Sequence, residues 1–340
     1  VTGCEREELP GGKDAREIRL FAEIGVHLSS EQTKGVITNT TDQELNVGIV
    51  RLDEKTGESK TDGYPYFINC SSPLNATFGT PNANEGNLRE VTSFSEAQFF
   101  KNSKDAVRYA AWYPWPNDWT SENRQGYKYE TGGNGTKITF PIPATGDSDI
   151  MYSNAVSGTM SEGFDVMKFN HALSLFRIYV YSSSDPSKMD WGNVTALKIT
   201  GLPDKCEITL PKDQSNKEHQ ISYSKSTDAG MTLLHDNISI DIPTGFENKC
   251  FVKEWIAAPG MLTTGEISIP ALDITVSTTV TTADGKESNS EHNLSIARNY
   301  EPGHLYHIVL RFTDEGTINA DVTIEDWIDT GHKIMSDVLT

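Results

Sequence analysis

Nowhere in this 340-residue chain is there a run of about 18 or more apolar residues, so the sequence offers no membrane-spanning helix. Basic residues are scarce. Against 48 Asp and Glu stand 29 Lys and Arg, a formal charge of -19, which repels phosphate backbones and excludes nucleic acid as an expected partner. The four cysteines, at 4, 70, 206 and 250, form no CxxC pair and no Cys/His cluster, so no zinc site is expected. For Cys206 and Cys250 buried free thiols are expected ahead of a bridge. Helical periodicity is nearly absent, with Ser95 to Phe100 at most one short piece.

Catalytic signals are missing too. In Gly158-Thr159-Met160-Ser161-Glu162-Gly163 the serine stands one place too far from the first glycine for a nucleophile elbow, and no strand-then-helix context surrounds it. It reads as a loop. The acidic stretches Asp147-Ser148-Asp149 and Asn82-Ala83-Asn84-Glu85 offer hard oxygens without a spaced bidentate carboxylate, and read as solvated turns. His171, beside a strongly apolar run, reads as an interior histidine and not as a ligand. No enzyme, cofactor or metal is expected.

What is present is alternation. Ile18, Leu20, Ala22, Ile24, Val26 and Leu28 fall on one side of an eleven-residue, period-two run, the pattern of a half-buried strand. Similar runs recur at 45–50, 107–113, 137–142, 176–181, 237–242, 272–276, 306–312 and 318–324, separated by turn residues. Many short strands with turns between them predict an all-β chain of antiparallel sandwiches. The small and acidic residues from Ala144 to Gly163 suggest a seam, giving a tether at 1–16, one domain at 17–158, a second at 159–327 and a tail at 328–340.

Two local features invite functional readings. Trp112, Trp115 and Trp119 in A-W-Y-P-W-P-N-D-W could present flat faces to sugar rings, with Trp115 and Trp119 expected to be the more exposed. The bland reading, strand end plus proline turn, is favoured. Val1-Thr2-Gly3-Cys4 matches the aliphatic, small, small, Cys frame that lipoprotein signal peptidase reads, so Cys4 is the expected lipidation site. Two or three acyl chains there would hold a protein to a membrane where one would not.

Several stretches together resemble the fimbrillin-type pilins of Bacteroidales. They are the lipobox-like start, A-A-W-Y-P-W at 110–115, D-I-M-Y-S at 149–153, F-N-H-A-L-S-L-F-R-I-Y-V at 169–180, Y-H-I-V-L-R-F at 306–312 and I-N-A-D-V-T-I-E-D-W at 318–327. The resemblance implies two tandem transthyretin-like antiparallel β-sandwich domains, export as an outer-membrane lipoprotein and a place in a surface fimbria as structural subunit or tip pilin. It further implies that a trypsin-like maturation protease removes the first strand, here Ile18 to Leu28, by cutting after Lys34, where family members commonly carry Arg. A neighbouring subunit's strand would then fill the groove. Implied partners are other pilin subunits, that protease, the outer membrane through lipid on Cys4, and a host or bacterial surface receptor. The alternative is a monomeric surface lipoprotein that binds glycans through the aromatics from Trp112 to Trp119.

Overall fold

The computed structural model describes residues 17–24, 37–54, 67–69, 73–116, 126–132, 135–211, 220–259, 271–298, 300–326 and 335–336. Cys4, Val26, Leu28, Lys34 and Trp119 lie outside them, as does the tether at 1–16. Strands dominate the described residues, with a single α-helix among them. The first twelve are β1 (Phe21–Ile24), β2 (Leu45–Glu54), β3 (Phe67–Asn69), β4 (Leu74–Phe78), β5 (Arg89–Phe94), β6 (Val107–Tyr113), β7 (Lys128–Gly132), β8 (Gly135–Pro141), β9 (Met151–Ser153), β10 (Val156–Thr159), β11 (Gly163–Phe164) and β12 (Met167–His171). There follow β13 (Ser174–Ser182), the short helix α1 (Asp185–Trp191), β14 (Asn193–Leu202), β15 (Lys205–Pro211), β16 (Gln220–Ser224), β17 (Met231–His235) and β18 (Ile240–Asp241). The last are β19 (Cys250–Ala257), β20 (Ala271–Thr281), β21 (Glu287–Ala297), β22 (His304–Phe312), β23 (Ile318–Asp326) and β24 (Met335–Ser336).

The all-β expectation holds, but the N-terminal sheet is not the open layer that alternation alone suggests. Its order is β6-β9-β12-β1-β5-β4-β2, and β2 pairs again with β6 from Gly48↔Trp112 to Asp53↔Val107, so seven strands close into a ring. Closure leaves these strands no free edges. Closure also needs a glycine: a Cβ on Gly48 would lie 2.2 Å from the Trp112 ring. Nor is the pairing all antiparallel. β1 runs parallel to β12, and β13 runs parallel to β22 over eight residue pairs.

In the C-terminal half β19-β13-β22-β23-β24 form one sheet and β17-β14-β20-β21 another, with β18 also on β14. Leu175, Ile178, Leu305 and Ile308 from the first and Leu197, Ile199, Ile274 and Val276 from the second enter one shared core. The strands do not divide at residue 158. β10 continues through a tight turn into β11, where a Cβ on Gly158 would lie 2.1 Å from the Gly163 carbonyl oxygen, and β12 still belongs to the ring. The small residues there serve a hairpin turn, not a linker. A further sheet, β16-β15-β8-β7, joins strands from both sides of that point, with Ile138 opposite Ile208. Residues 95–100 are not helical: the Gln98 carbonyl accepts from the Ile18 amide at 2.9 Å and Arg51 holds Gln98 and Phe99, drawing the segment along residues 17–20, which precede β1.

Candidate functional site

The segment flagged by its alternation is built into the ring wall. Ile18, Leu20, Ala22 and Ile24 are all buried, while Arg19 is exposed and Phe21 and Glu23 are half-buried. Register fixes their neighbours. Ala22 lies between Arg89 of β5 and Met167 of β12, and Ile24 stands opposite Phe169. Phe169 meets Phe78 edge to face at 6.0 Å beneath them. Backbone pairing extends N-terminally beyond β1, through the Leu20 carbonyl accepting from Val91 at 3.0 Å and a bridge from Glu17 to Phe99. On the outer surface Arg19 pairs with Glu90 and Glu23 with Lys168 at 3.2 Å.

Withdrawal of this strand would leave a slot whose two walls, β5 and β12, would both present unpaired backbone groups. Three of the five larger inward residues of the expected strand, Ile18, Leu20 and Ile24, are thus seated in core. At about 1.5–3 kcal/mol for each fully buried large aliphatic, they contribute roughly 5–9 kcal/mol as an upper figure. Whole domains are stable by only about 5–15 kcal/mol.

Two buried polar groups flank the slot. Arg89, the first residue of β5, is fully buried and donates to the carbonyls of Gln43 (2.8 Å), Gly79 (3.0 Å), Thr38 (3.3 Å) and Thr41 (2.6 Å). Burial pushes its guanidinium down to about 10, with Asp42 acting in the opposite sense, so the group remains charged at neutral pH. At the end of β12, His171 Nδ1 lies 2.9–3.0 Å from both carboxylate oxygens of Asp149, and neither side chain is exposed. Asp149 also accepts from the Ile37 amide at 3.4 Å. His171 is therefore an interior residue, and the Asp149 expected in a solvated turn is its buried partner.

The aromatic cluster is packed. Trp112 is fully buried, and half-buried Trp115 stacks on Tyr129 at 6.3 Å and leans on Trp112 at 6.0 Å, its backbone amide donating to Asn46. Cys206 is buried and Cys250 half-buried, each a free thiol, and burial pushes the Cys206 thiol up. Among the described residues no cluster of His, Cys, Asp and Glu could hold a metal ion. The tail places Met335 and Ser336 against Ile324 and Thr323 of β23.

The arrangement is thus an amphipathic N-terminal strand seated in the wall of a closed seven-strand ring. A family model described as fimbrillin-like matches residues 33–327, and the chain belongs to this family, whose members are structural and not enzymes. The matched span begins after β1. Among solved structures, a fimbrial protein from Bacteroides vulgatus is similar at 15% identity and a TM-score of 0.55, covering 92% of this chain and 99% of that one. A candidate cell adhesion protein from Bacteroides ovatus is similar at 14% identity and a TM-score of 0.51, covering 93% of this chain and 99% of the other. These likenesses speak to the fold. No curated protein matches the chain.

Proposed function

We propose that this fimbrillin-like protein is a subunit of a bacterial surface fimbria that polymerises by strand exchange: the segment carrying β1 is released and a neighbouring subunit's strand enters the slot. The observation that carries this reading is the seating of Ile18, Leu20, Ala22 and Ile24 between β12 and β5 in an otherwise closed ring. An occupant that supplies core side chains and backbone pairing on both flanks can be replaced only by another alternating strand. Release would follow a cut after Lys34 by a trypsin-like protease. The Val1-Thr2-Gly3-Cys4 frame supports lipidation of Cys4 and delivery to the outer membrane as a lipoprotein precursor.

A reversible lock tests the proposal. Phe21 and Glu90 are directly opposed across the antiparallel β1–β5 pair, so a Phe21→Cys/Glu90→Cys pair should form a cross-strand disulfide on the half-buried outer side. Oxidised protein is expected to remain unpolymerised on the cell surface, and reduction to restore polymer. Polymer formation with the lock closed would sink strand exchange. Sequencing the surface-recovered protein adds the site: Gly35 as first residue is expected, and a polymer whose subunits retain residues 18–28 would contradict it.

A further inference from the structure

The segment from Ile37 to Gln43 carries a density of polar restraint out of proportion to its length. Thr38 donates its amide to the Thr41 hydroxyl at 2.8 Å and its carbonyl accepts from the Thr41 amide at 3.2 Å, while its own hydroxyl lies 3.0 Å from Thr41 Oγ1 and 3.1 Å from Thr40 Oγ1. This knot is fastened from outside by Arg89, three of whose four carbonyl partners are Thr38, Thr41 and Gln43. Ile37 is buried and tied through its amide to Asp149, itself held by His171. Arg89 belongs to β5 and His171 to β12, the two strands that flank β1. A buried guanidinium bound to neutral carbonyls, with no ion-pair partner within contact among the described residues, is a costly device for positioning a loop.

We infer that residues 37–43 are a fixed post, fastened separately to both walls of the slot, and that Arg89 is a positioning residue that keeps the slot's neck in shape when β1 leaves. The inference rests on the strand-exchange reading. In the intact chain the post makes β1 separable from β2: the chain between Ile24 and Ile37 can be severed without the loss of β1 propagating into the ring-closing strand that starts at Leu45. Hydrogen bonds to a charged donor are stronger than neutral ones and geometrically fixed, so the four carbonyls hold their places whether or not β1 is present.

The test uses the full chain with a single specific protease site introduced between residues 29 and 34, alongside Arg89→Met and, as a milder lesion, Thr41→Val. In the uncut proteins, hydrogen exchange read by mass spectrometry should show the amides of Thr38, Thr41 and Gln43 losing at least about tenfold protection in both variants while those of β4 and β6 keep theirs. After cutting, a fluorescent peptide of residues 17–28 should replace the nicked strand in the parent protein, and at least about tenfold more slowly or weakly in Arg89→Met and Thr41→Val. Unchanged protection in the variants overturns the post, and so does lost protection with undiminished peptide uptake. If the parent takes up no peptide after cutting, the strand-exchange reading falls instead, while the exchange pattern of the uncut proteins still decides whether the post exists. Should Arg89→Met fail to fold, Thr41→Val alone carries both readouts.

Discussion

At the scale of the residue, the alternating positions before Ile24 do different things on their two sides. Leu20 is fully buried, and Leu20→Ala should cost about 2–5 kcal/mol through lost transfer energy and the cavity left behind, read as a lower denaturant midpoint. Arg19, on the outer side, pairs with Glu90 in solvent, and Arg19→Ala should change stability by no more than about 1 kcal/mol. Equal losses in the two variants would mean that the segment is not seated as described. The inward set was legible because period two in apolar residues has one physical cause, a half-buried strand. Arg89 was not. In R-E-V-T-S-F it looks like a solvated strand end, and its four carbonyl partners come from Thr38, Thr41, Gln43 and Gly79, whose convergence is a tertiary fact. Asp149 was misread for the same reason: its partner His171 lies 22 residues away.

Among elements, existence was easier to read than neighbours. β6, β13, β22 and β23 stand within a few residues of their expected runs, yet no local pattern tells that β1 pairs parallel to β12 or that β2 meets β6 to shut the ring. Gly48 marks that closure. Gly48→Ala is expected to force the Trp112 ring aside and to destabilise by about 1–3 kcal/mol, as overpacked cores do; an unchanged melting temperature would show that the ring seam can give way freely. The one α-helix among the described residues was missed although its signals were there. Ser184 caps it by accepting from the Ser187 amide at 3.1 Å, a proline stands in its first turn, and Gly192 ends it at positive φ. Seven residues are too few for periodicity to outweigh the surrounding strands. Ser184→Ala should cost about 0.5–2 kcal/mol by thermal or chemical unfolding. On the outer side of β22, His307 titrates below the ordinary histidine value, chiefly because of burial, with Glu325 opposing and Arg177 and Lys249 reinforcing. A depressed histidine lets the unfolded chain take up the proton first, so this group's contribution is complete above about pH 6.5 and declines as pH falls through its folded value. His307→Gln should flatten that part of the stability–pH curve, and an unaltered slope between pH 7.5 and 5 would refute the assignment.

For the whole molecule, composition excluded more than it identified. A charge of -19, no apolar run long enough for a spanning helix and a strand-dominated pattern narrowed the chain to an acidic all-β protein, and the fimbrillin-like match over residues 33–327 places it in its family. The connectivity across the expected seam was not legible: β8 pairs with β15 and β12 lies within the ring, so strands on opposite sides of residue 158 are joined by contacts that no local pattern records. Whether the molecule assembles through its first strand is decided most directly by removing it. The full chain is cut at one engineered site between residues 29 and 34, the N-terminal fragment is separated, and the mass of the remainder is followed by light scattering with and without a peptide of residues 17–28. The expected result is association into oligomers, suppressed by one equivalent of the peptide but not by its Ala22→Asp variant. A remainder that stays monomeric, folded and indifferent to the peptide would contradict it.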